Sequence, residues 1–301
     1  MVNDTLPGPL GNAIALHEFR TEDFTLKDWF FYTEQWFEKH NLTPNKMGFD
    51  APYGSRGRSS IGYKYGKKRL IENNFADVTG ISIMANPSVA PKNNLLAIAE
   101  AIAYLKENNR STLVMCWSDR VQEFIKGYLE SFITELNQFV SPRYGYCFQR
   151  RFAHSPTFYT VGIIGCEGED EPSEEEEREI TKWGNEFSYS DGTYKAGDLR
   201  DIYPLNILTQ PHLDRDVYGQ SLKDWIESSP EHGDLKKLTD TLWSWWVPKE
   251  KIQSVREELS NTGIILCMQI EDEETEIKSD DKLDLSGSNL DPFGVSHLYT
   301  K

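Results

Sequence analysis

The residues most suggestive of chemistry occupy one short polar segment in the last third of the chain. Residues 211–216, PHLDRD, place His212 close to Asp214 and Asp216. Imidazole and carboxylate groups bind divalent metals and transfer protons in acid–base catalysis. The spacing matches no mechanistic pattern such as H-E-x-x-H, so an ordinary polar loop is the competing interpretation. A hydrolase or metal-dependent enzyme using these three residues is therefore one hypothesis.

A basic, glycine-containing segment extends over residues 56–69. Its cationic residues are Arg56, Arg58, Lys64, Lys67, Lys68 and Arg69. Such a patch is able to contact phosphates, which makes nucleic-acid binding an alternative function. The segment is not a G-x-x-x-x-G-K-[ST] loop, and the net charge of the chain, −16, argues against a nucleic-acid partner. A surface patch that pairs with the protein's own carboxylates is an equal explanation.

Most of the negative charge is concentrated in two runs. Residues 167–177, EGEDEPSEEEE, carry a charge of −8, and residues 271–281, EDEETEIKSDD, carry −6, so the rest of the chain is nearly neutral. Carboxylates without counter-charges repel one another, and a basic protein partner would relieve that repulsion. A solvated loop or tail is the simpler alternative. We predict partner contacts by these acidic residues: Glu169, Asp170, Glu171, Glu174 and Glu175.

Two adjacent tryptophans form a second candidate for partner binding. Trp245 and Trp246 lie in a segment typical of a strand, residues 240–247, so their side chains point to opposite faces of a sheet. Exposed tryptophans are frequent at interaction hot spots, and one of the pair would serve if its face were open. Core packing beneath a covering helix is the competing interpretation.

Several other classes of protein are disfavoured by composition. The four cysteines form no C-x-x-C pair, and no cofactor or metal motif is present, so we predict neither group. The first residues, MVNDTLPGPL, lack a basic, apolar leader, and no stretch reaches the roughly 18 apolar residues of a membrane span. We therefore expect a cytoplasmic protein without a membrane partner.

The elements that would position these residues alternate between helix and strand. Apolar spacing predicts helices over residues 26–40, 95–105, 119–139, 222–226 and 248–263, a short helix ending near Trp183, and a basic turn or short helix over 64–71. Strands are predicted over 81–84, 112–117, 240–247 and 264–270, with a hairpin formed by 144–150 and 158–165.

This arrangement predicts an α+β fold, a two-layer sandwich in which helices pack on a mixed, largely antiparallel sheet. We expect one domain over residues 1–270, with two subdomains joined near 166–198 as the alternative. Residues 271–301 are acidic and poor in apolar side chains, which is typical of a flexible tail.

Two parts of the chain carry a resemblance to a known group of proteins. Residues 199–270, with RDIYPLNILTQPHL, SLKDWI and LTDTLWSWWVPKEKIQSVREELSNTGIIL, resemble uncharacterised bacterial proteins of polymorphic-toxin and contact-dependent immunity systems. The segment SPRYGYCFQRR followed by FYTVGIIG is similar to them as well. The resemblance implies a non-enzymatic, cytoplasmic and often acidic immunity protein that inhibits a cognate toxin by binding it. The acidic runs add the expectation that this toxin is basic. The resemblance assigns no functional residue, because the shared pattern marks helices and strands.

Overall fold

A computed structural model describes residues 10–19, 24–54, 60–87, 97–105, 111–164, 173–185 and 194–268 of the chain. The helices in this part are α1 (Leu26–Lys39), α2 (Tyr63–Glu72), α3 (Lys126–Leu136), α4 (Pro156–Thr160), α5 (Glu174–Trp183), α6 (Gln210–Leu213), α7 (Leu222–Glu227) and α8 (Ile252–Leu259).

The strands are β1 (Leu10–His17), β2 (Lys46–Asp50), β3 (Ile61–Gly62), β4 (Gly80–Ala85), β5 (Ala99–Tyr104), β6 (Thr112–Ser118), β7 (Tyr144–Arg151), β8 (Leu205–Leu208), β9 (Asp216–Val217), β10 (Gln220–Ser221), β11 (Asp234–Lys237) and β12 (Trp243–Trp246).

One large open sheet organises the described residues. Ten strands follow the order β11-β12-β8-β7-β1-β6-β5-β4-β2-β3, and every pair of neighbours in this order is antiparallel. β9 and β10 form a separate hairpin. The predicted α+β class and the predominance of antiparallel pairing are confirmed.

Helices cover the sheet on both faces. In the central strand β1, Ile14 and Leu16 face a core that includes residues of α1, α2 and α3. Ala13 and Ala15 face a second core, which includes residues of α5, α6, α7 and α8. Because successive side chains of a strand alternate between faces, the same short segment contributes to both cores. Helices therefore form a layer on each face of the sheet, which is one helical layer more than in the predicted two-layer sandwich.

The first helix forms where its sequence signals place it. The Thr25 hydroxyl oxygen accepts a hydrogen bond from the Asp28 backbone N–H at 3.1 Å, which caps the free donors of the first turn. Trp29, Phe30 and Phe37 recur at helical spacing and are buried. The helix predicted over residues 26–40 is confirmed as α1.

The helix predicted over residues 95–105 is wrong, because the described part of this segment is strand β5. Ala99, Ala101 and Ala103 all face the first core, whereas Glu100 and Ile102 lie on the opposite face. This alternation has the period of a strand, and β5 pairs with β4 on one side and β6 on the other. Pairing in the middle of the sheet outweighs the helical preference of alanine.

Three further boundaries differ from the predictions. The described part of residues 158–165 does not form the second strand of a hairpin, because helix α4 begins at Pro156 after the Ser155 cap. The helix predicted over 119–139 is shorter, and only α3 is helical. At residues 264–270, the described part contains one parallel bridge between Leu199 and Ile265, followed by a 3-10 turn. The proposed tail, residues 271–301, lies outside the described residues.

Candidate functional site

The first acidic run ends in helix α5, whose described side chains form an acidic surface. The Ser173 hydroxyl oxygen accepts from the Glu176 backbone N–H at 3.3 Å and caps the helix. Glutamates at 174–177 occupy the first turn, where the positive end of the helix dipole favours them, and Lys182 lies in the last turn. Helix formation therefore tolerates a run of like charges.

Two arginines hold α5 in position through its glutamates. Arg150 of β7 forms an ion pair with Glu176. Arg256 of α8 lies 3.5 Å from Glu179 and also contacts Asp201 at 2.9 Å. Glu174, at the start of the helix, is exposed. The helix is thus fixed by some of its carboxylates while others face outward.

The inner side of α5 rests on a buried arginine. Ile180 and Trp183 are each only 2% exposed, and the Trp183 indole lies 4.4 Å from the guanidinium carbon of Arg200. Arg200 is 1% exposed and carries a permanent charge. A buried guanidinium is costly unless its donors are satisfied, so this arginine needs partners around it.

Those partners come from strand β7 and the end of helix α4. Arg200 Nη1 donates to the Tyr146 hydroxyl at 2.6 Å and to the Thr160 carbonyl at 2.9 Å. Its Nη2 donates to the Tyr159 carbonyl at 2.8 Å. The last carbonyls of a helix lack partners within the helix, so the arginine satisfies them and ties α4 to the sheet.

The Tyr159 ring lies between the buried Arg200 and the partly buried Arg150. Arg200 lies 4.4 Å from the ring centre and Arg150 lies 4.8 Å from it. Cation–π contacts of this kind favour a positive charge near an aromatic face. Because Arg150 also binds Glu176, a continuous set of contacts joins the core to the acidic helix.

Two buried histidines, His17 and His212, pack in the second core and stay neutral. Burial, and then the charge of Arg200, lower the pKa of His17 to about 3. Burial lowers the pKa of His212 to about 4, against smaller raising effects of backbone hydrogen bonds at Asp198 and Thr209. Both rings pack against Tyr144, with centroids 6.4 and 5.3 Å away. They contribute aromatic packing to the second core.

The structure does not bring the predicted catalytic residues together. His212 is completely buried, and its Nδ1 lies 3.0 Å from the Thr209 hydroxyl in the cap of α6. Asp214 is exposed and accepts from Gln210 Nε2 at 2.7 Å, whereas Asp216 is exposed and accepts from the Gly219 N–H at 3.3 Å. The three side chains therefore share no site, which removes the geometric basis of the hydrolase hypothesis.

No group of three or more metal-ligating side chains occurs among the described residues. One cluster of polar and nucleophilic side chains joins β5, β6 and α4. The Thr157 hydroxyl donates to Glu100 Oε2 at 2.9 Å and lies 3.1 Å from Cys116 Sγ. Burial raises the pKa of Glu100 to about 7 and also raises the pKa of the Cys116 thiol. A high thiol pKa makes this cysteine a poor nucleophile.

The two predicted tryptophan contacts have different positions. Trp245 is completely buried in the second core, and its indole N–H donates to the His232 carbonyl at 2.8 Å. Trp246 points to the other face, where it is partly buried and its ring lies 6.1 Å from that of Phe124. Trp245 is unavailable to a partner because helices cover its face of the sheet, a correction to its assignment as a contact.

Two of the four described cations of the basic segment pair with the protein's own carboxylates. Lys67 pairs with Glu34, and Lys68 lies 3.6 Å from Glu72. Arg69 Nη1 donates to the Gly54 carbonyl at 2.9 Å. Arg56 and Arg58 lie outside the described residues, and Lys64 is exposed on α2. Paired cations offer little to a phosphate backbone.

The predicted acidic contacts are only partly within the described chain. Glu169, Asp170 and Glu171 lie outside it, as does the side chain of Glu175. Sequence reasoning did not identify Arg200 as a central residue. Its one signal was an arginine in the partly apolar segment 199–208, where a charge needs buried partners.

Comparison with known proteins reveals a shared fold and no family. No protein-family model matches the chain, and no curated protein does. A solved structure titled as the T6SS protein PA0821 of Pseudomonas aeruginosa matches with a TM-score of 0.53. The fold is shared with that protein. The match covers 87% of this chain and 75% of PA0821 at 12% identity. Among the described residues, no helix has the length and apolarity needed to span a bilayer.

Proposed function

We propose that this chain is a non-enzymatic binding protein of the immunity type, which neutralises a basic toxin in the cytoplasm through its acidic surface. The observation that carries the proposal is the placement of α5. The apolar side of α5 packs through Trp183 on buried Arg200, and the start of the helix presents glutamate to solvent. A fixed, charged helix favours fast and selective encounter with a basic protein.

The shared fold supports the proposal at a coarser level. PA0821 is described as a T6SS protein, which places one chain with this fold in a secretion system. The resemblance of residues 199–270 to immunity proteins points in the same direction. The separation of His212 from Asp214 and Asp216 removes the enzyme hypothesis's candidate site.

The test compares two variants with equal changes in charge. Glu174→Lys with Glu177→Lys reverses the start of α5. Glu38→Lys with Glu72→Lys reverses two exposed carboxylates on α1 and α2, which pack on the other face of the sheet. The binding probe is the product of the gene that adjoins this one in its native genome. Affinity is measured by calorimetry in 50 mM and 300 mM salt.

We expect the α5 variant to bind about tenfold more weakly, a loss of about 1.4 kcal/mol, and the control variant to bind nearly as the parent does. The affinity of the parent should fall at the higher salt concentration, because salt screens charge pairs. Equal affinities for the two variants, or a complex indifferent to salt, would refute recognition through α5. Co-expression with the toxin should restore growth only when α5 is intact.

A further inference from the structure

Tyr218 occupies a position that local energetics do not favour for a tyrosine. It lies at the tip of the β9–β10 hairpin, where the two turn residues, Tyr218 and Gly219, have φ values of 56° and 86°. Two-residue hairpin turns with positive φ at both positions favour Asn, Asp or Gly. A bulky side chain there strains the backbone, so the requirements of the turn do not explain this residue.

The Tyr218 ring is also open to solvent. It is 63% exposed, which is the highest value among the large hydrophobic side chains exposed in the described chain. Its hydroxyl donates to the Glu258 carbonyl of α8. This bond holds the ring in one direction and leaves much of its surface uncovered. A held aromatic side chain loses little entropy when a partner contacts it.

Carboxylates occur on both elements that position this ring. Asp216 precedes it in the hairpin, and Glu257 and Glu258 are exposed on the neighbouring helix α8. The same helix reaches the acidic helix α5 through the contact between Arg256 and Glu179. The hairpin, α8 and α5 are therefore neighbours on one side of the molecule.

Three cations of this region are already engaged in ion pairs. Arg215 lies 2.9 Å from Asp198, and Lys251 lies 3.1 Å from Glu231. Arg256 contacts Asp201. Lys223 is exposed at the start of α7, but the carboxylates of Asp216, Glu257 and Glu258 outnumber it, so the surface beside the ring keeps a net negative charge. An aromatic face beside carboxylates is the environment that an incoming guanidinium prefers.

We propose that Tyr218 is the anchor for an arginine side chain of the basic partner, which stacks on the phenol ring beside Asp216 and α8. This inference rests on the proposed function, since it identifies one contact of the same acidic side. Arginine is preferred to lysine because its planar guanidinium stacks on an aromatic ring and donates to carboxylates at the same time.

The test uses two defined probes, a nine-residue arginine peptide and a nine-residue lysine peptide, titrated calorimetrically in 50 mM salt. Tyr218→Asn removes the ring and suits the turn, so its thermal unfolding midpoint should stay within a few degrees of the parent's. Tyr218→Phe keeps the ring and removes the hydroxyl bond to Glu258. Circular dichroism of both variants confirms that they fold.

The parent should prefer the arginine peptide by roughly three- to fivefold, the size of an exposed cation–π contact. Tyr218→Asn should abolish that preference without weakening the lysine peptide, and Tyr218→Phe should retain most of it. No preference in the parent, or a preference that survives Tyr218→Asn, overturns the inference.

The reversed α5 variant separates this inference from the proposed function. Glu174→Lys with Glu177→Lys should weaken both peptides and leave the preference for arginine intact. If that variant binds the native partner normally while Tyr218→Asn still abolishes the arginine preference, the α5 proposal fails and the Tyr218 anchor stands. If the α5 variant loses the partner and the arginine preference survives Tyr218→Asn, the α5 proposal stands and the Tyr218 anchor fails.

Discussion

The guanidinium of Arg200 lies 4.4 Å from the centre of the Trp183 indole ring. This contact joins the buried second core to the helix that carries the described end of the acidic run. Arg200 comes directly after Leu199, which bridges to Ile265, so the arginine also joins the last third of the chain to α5. The position of the exposed glutamates of α5 therefore depends on the buried charge of Arg200.

Arg200→Met should lower the free energy of unfolding by about 2–4 kcal/mol, because the substitution removes the buried donor of the Tyr146 hydroxyl and of the Thr160 carbonyl. The Tyr159 carbonyl loses one of two donors and keeps the Gly162 N–H at 3.1 Å. Urea denaturation followed by tryptophan fluorescence measures this change. Arg178→Met is the matched control, since Arg178 is exposed on α5, and it should change stability by less than about 0.5 kcal/mol. Similar losses for the two variants would contradict the role assigned to Arg200.

Glu100→Gln should stabilise the protein at pH 8 and have little effect at pH 4.5. Burial raises the pKa of Glu100 to about 7 in the folded state, from 4.5, so the folded protein retains a proton that the unfolded chain releases. Stability from this group is therefore complete below pH 4.5 and is lost as the pH rises to about 7. Glutamine stays neutral and keeps an acceptor for Thr157, which predicts a gain of about 2 kcal/mol at pH 8.

Urea denaturation at the two pH values tests this prediction. Glu257→Gln, on the exposed surface of α8, is the control and should change stability equally at both. A gain for Glu100→Gln that is the same at pH 4.5 and pH 8 would show that its carboxyl group does not titrate as described.

His212→Asn should make stability less sensitive to acid. The folded-state pKa of His212 is lowered to about 4 from 6.5, so its contribution is complete above pH 6.5 and is lost as the pH falls toward 4. Between pH 7.5 and pH 5, the parent should lose about 2 kcal/mol through this histidine, and the variant should not. His17 adds a loss of the same sign in both proteins, since its pKa is lowered to about 3.

Unfolding measured at pH 7.5 and 5 decides the question. The variant is expected to be less stable at pH 7.5, because it loses the packing of the ring against Tyr144. The decisive quantity is the difference between the two pH values, and an unchanged difference would contradict the assignment.

Gly145→Ala and Gly127→Ala should change stability in opposite directions. A Cβ at position 145 would lie 2.7 Å from the Ala15 carbonyl oxygen in the centre of the sheet, so we expect a loss of about 1–3 kcal/mol. A Cβ at position 127, in helix α3, meets nothing within 4 Å, and alanine there should add up to about 1 kcal/mol. Thermal unfolding of the two variants checks the register of β1 with β7, and a tolerated alanine at 145 would contradict it.

The sequence by itself determined the elements that local signals define. Apolar spacing predicts helices over residues 26–40 and 222–226, and the structure has α1 and α7 there, each capped by the residue before it, Thr25 and Ser221. Both are confirmed, because capping and amphipathic spacing act within a few residues. Mixed helix and strand signals likewise identified the α+β class.

Only the tertiary structure decided the features that depend on pairing and burial. Residues 99–104 became a strand because β4 and β6 lie on both sides of them. His212 separated from Asp214 and Asp216 because one ring is buried against Tyr144 while the carboxylates face solvent. Arg200, which follows residue 198, contacts side chains or carbonyls of β7, α4 and α5. No local sequence pattern predicts that these elements meet. These features depend on contacts between distant segments and on the desolvation that those contacts cause, which no local pattern encodes.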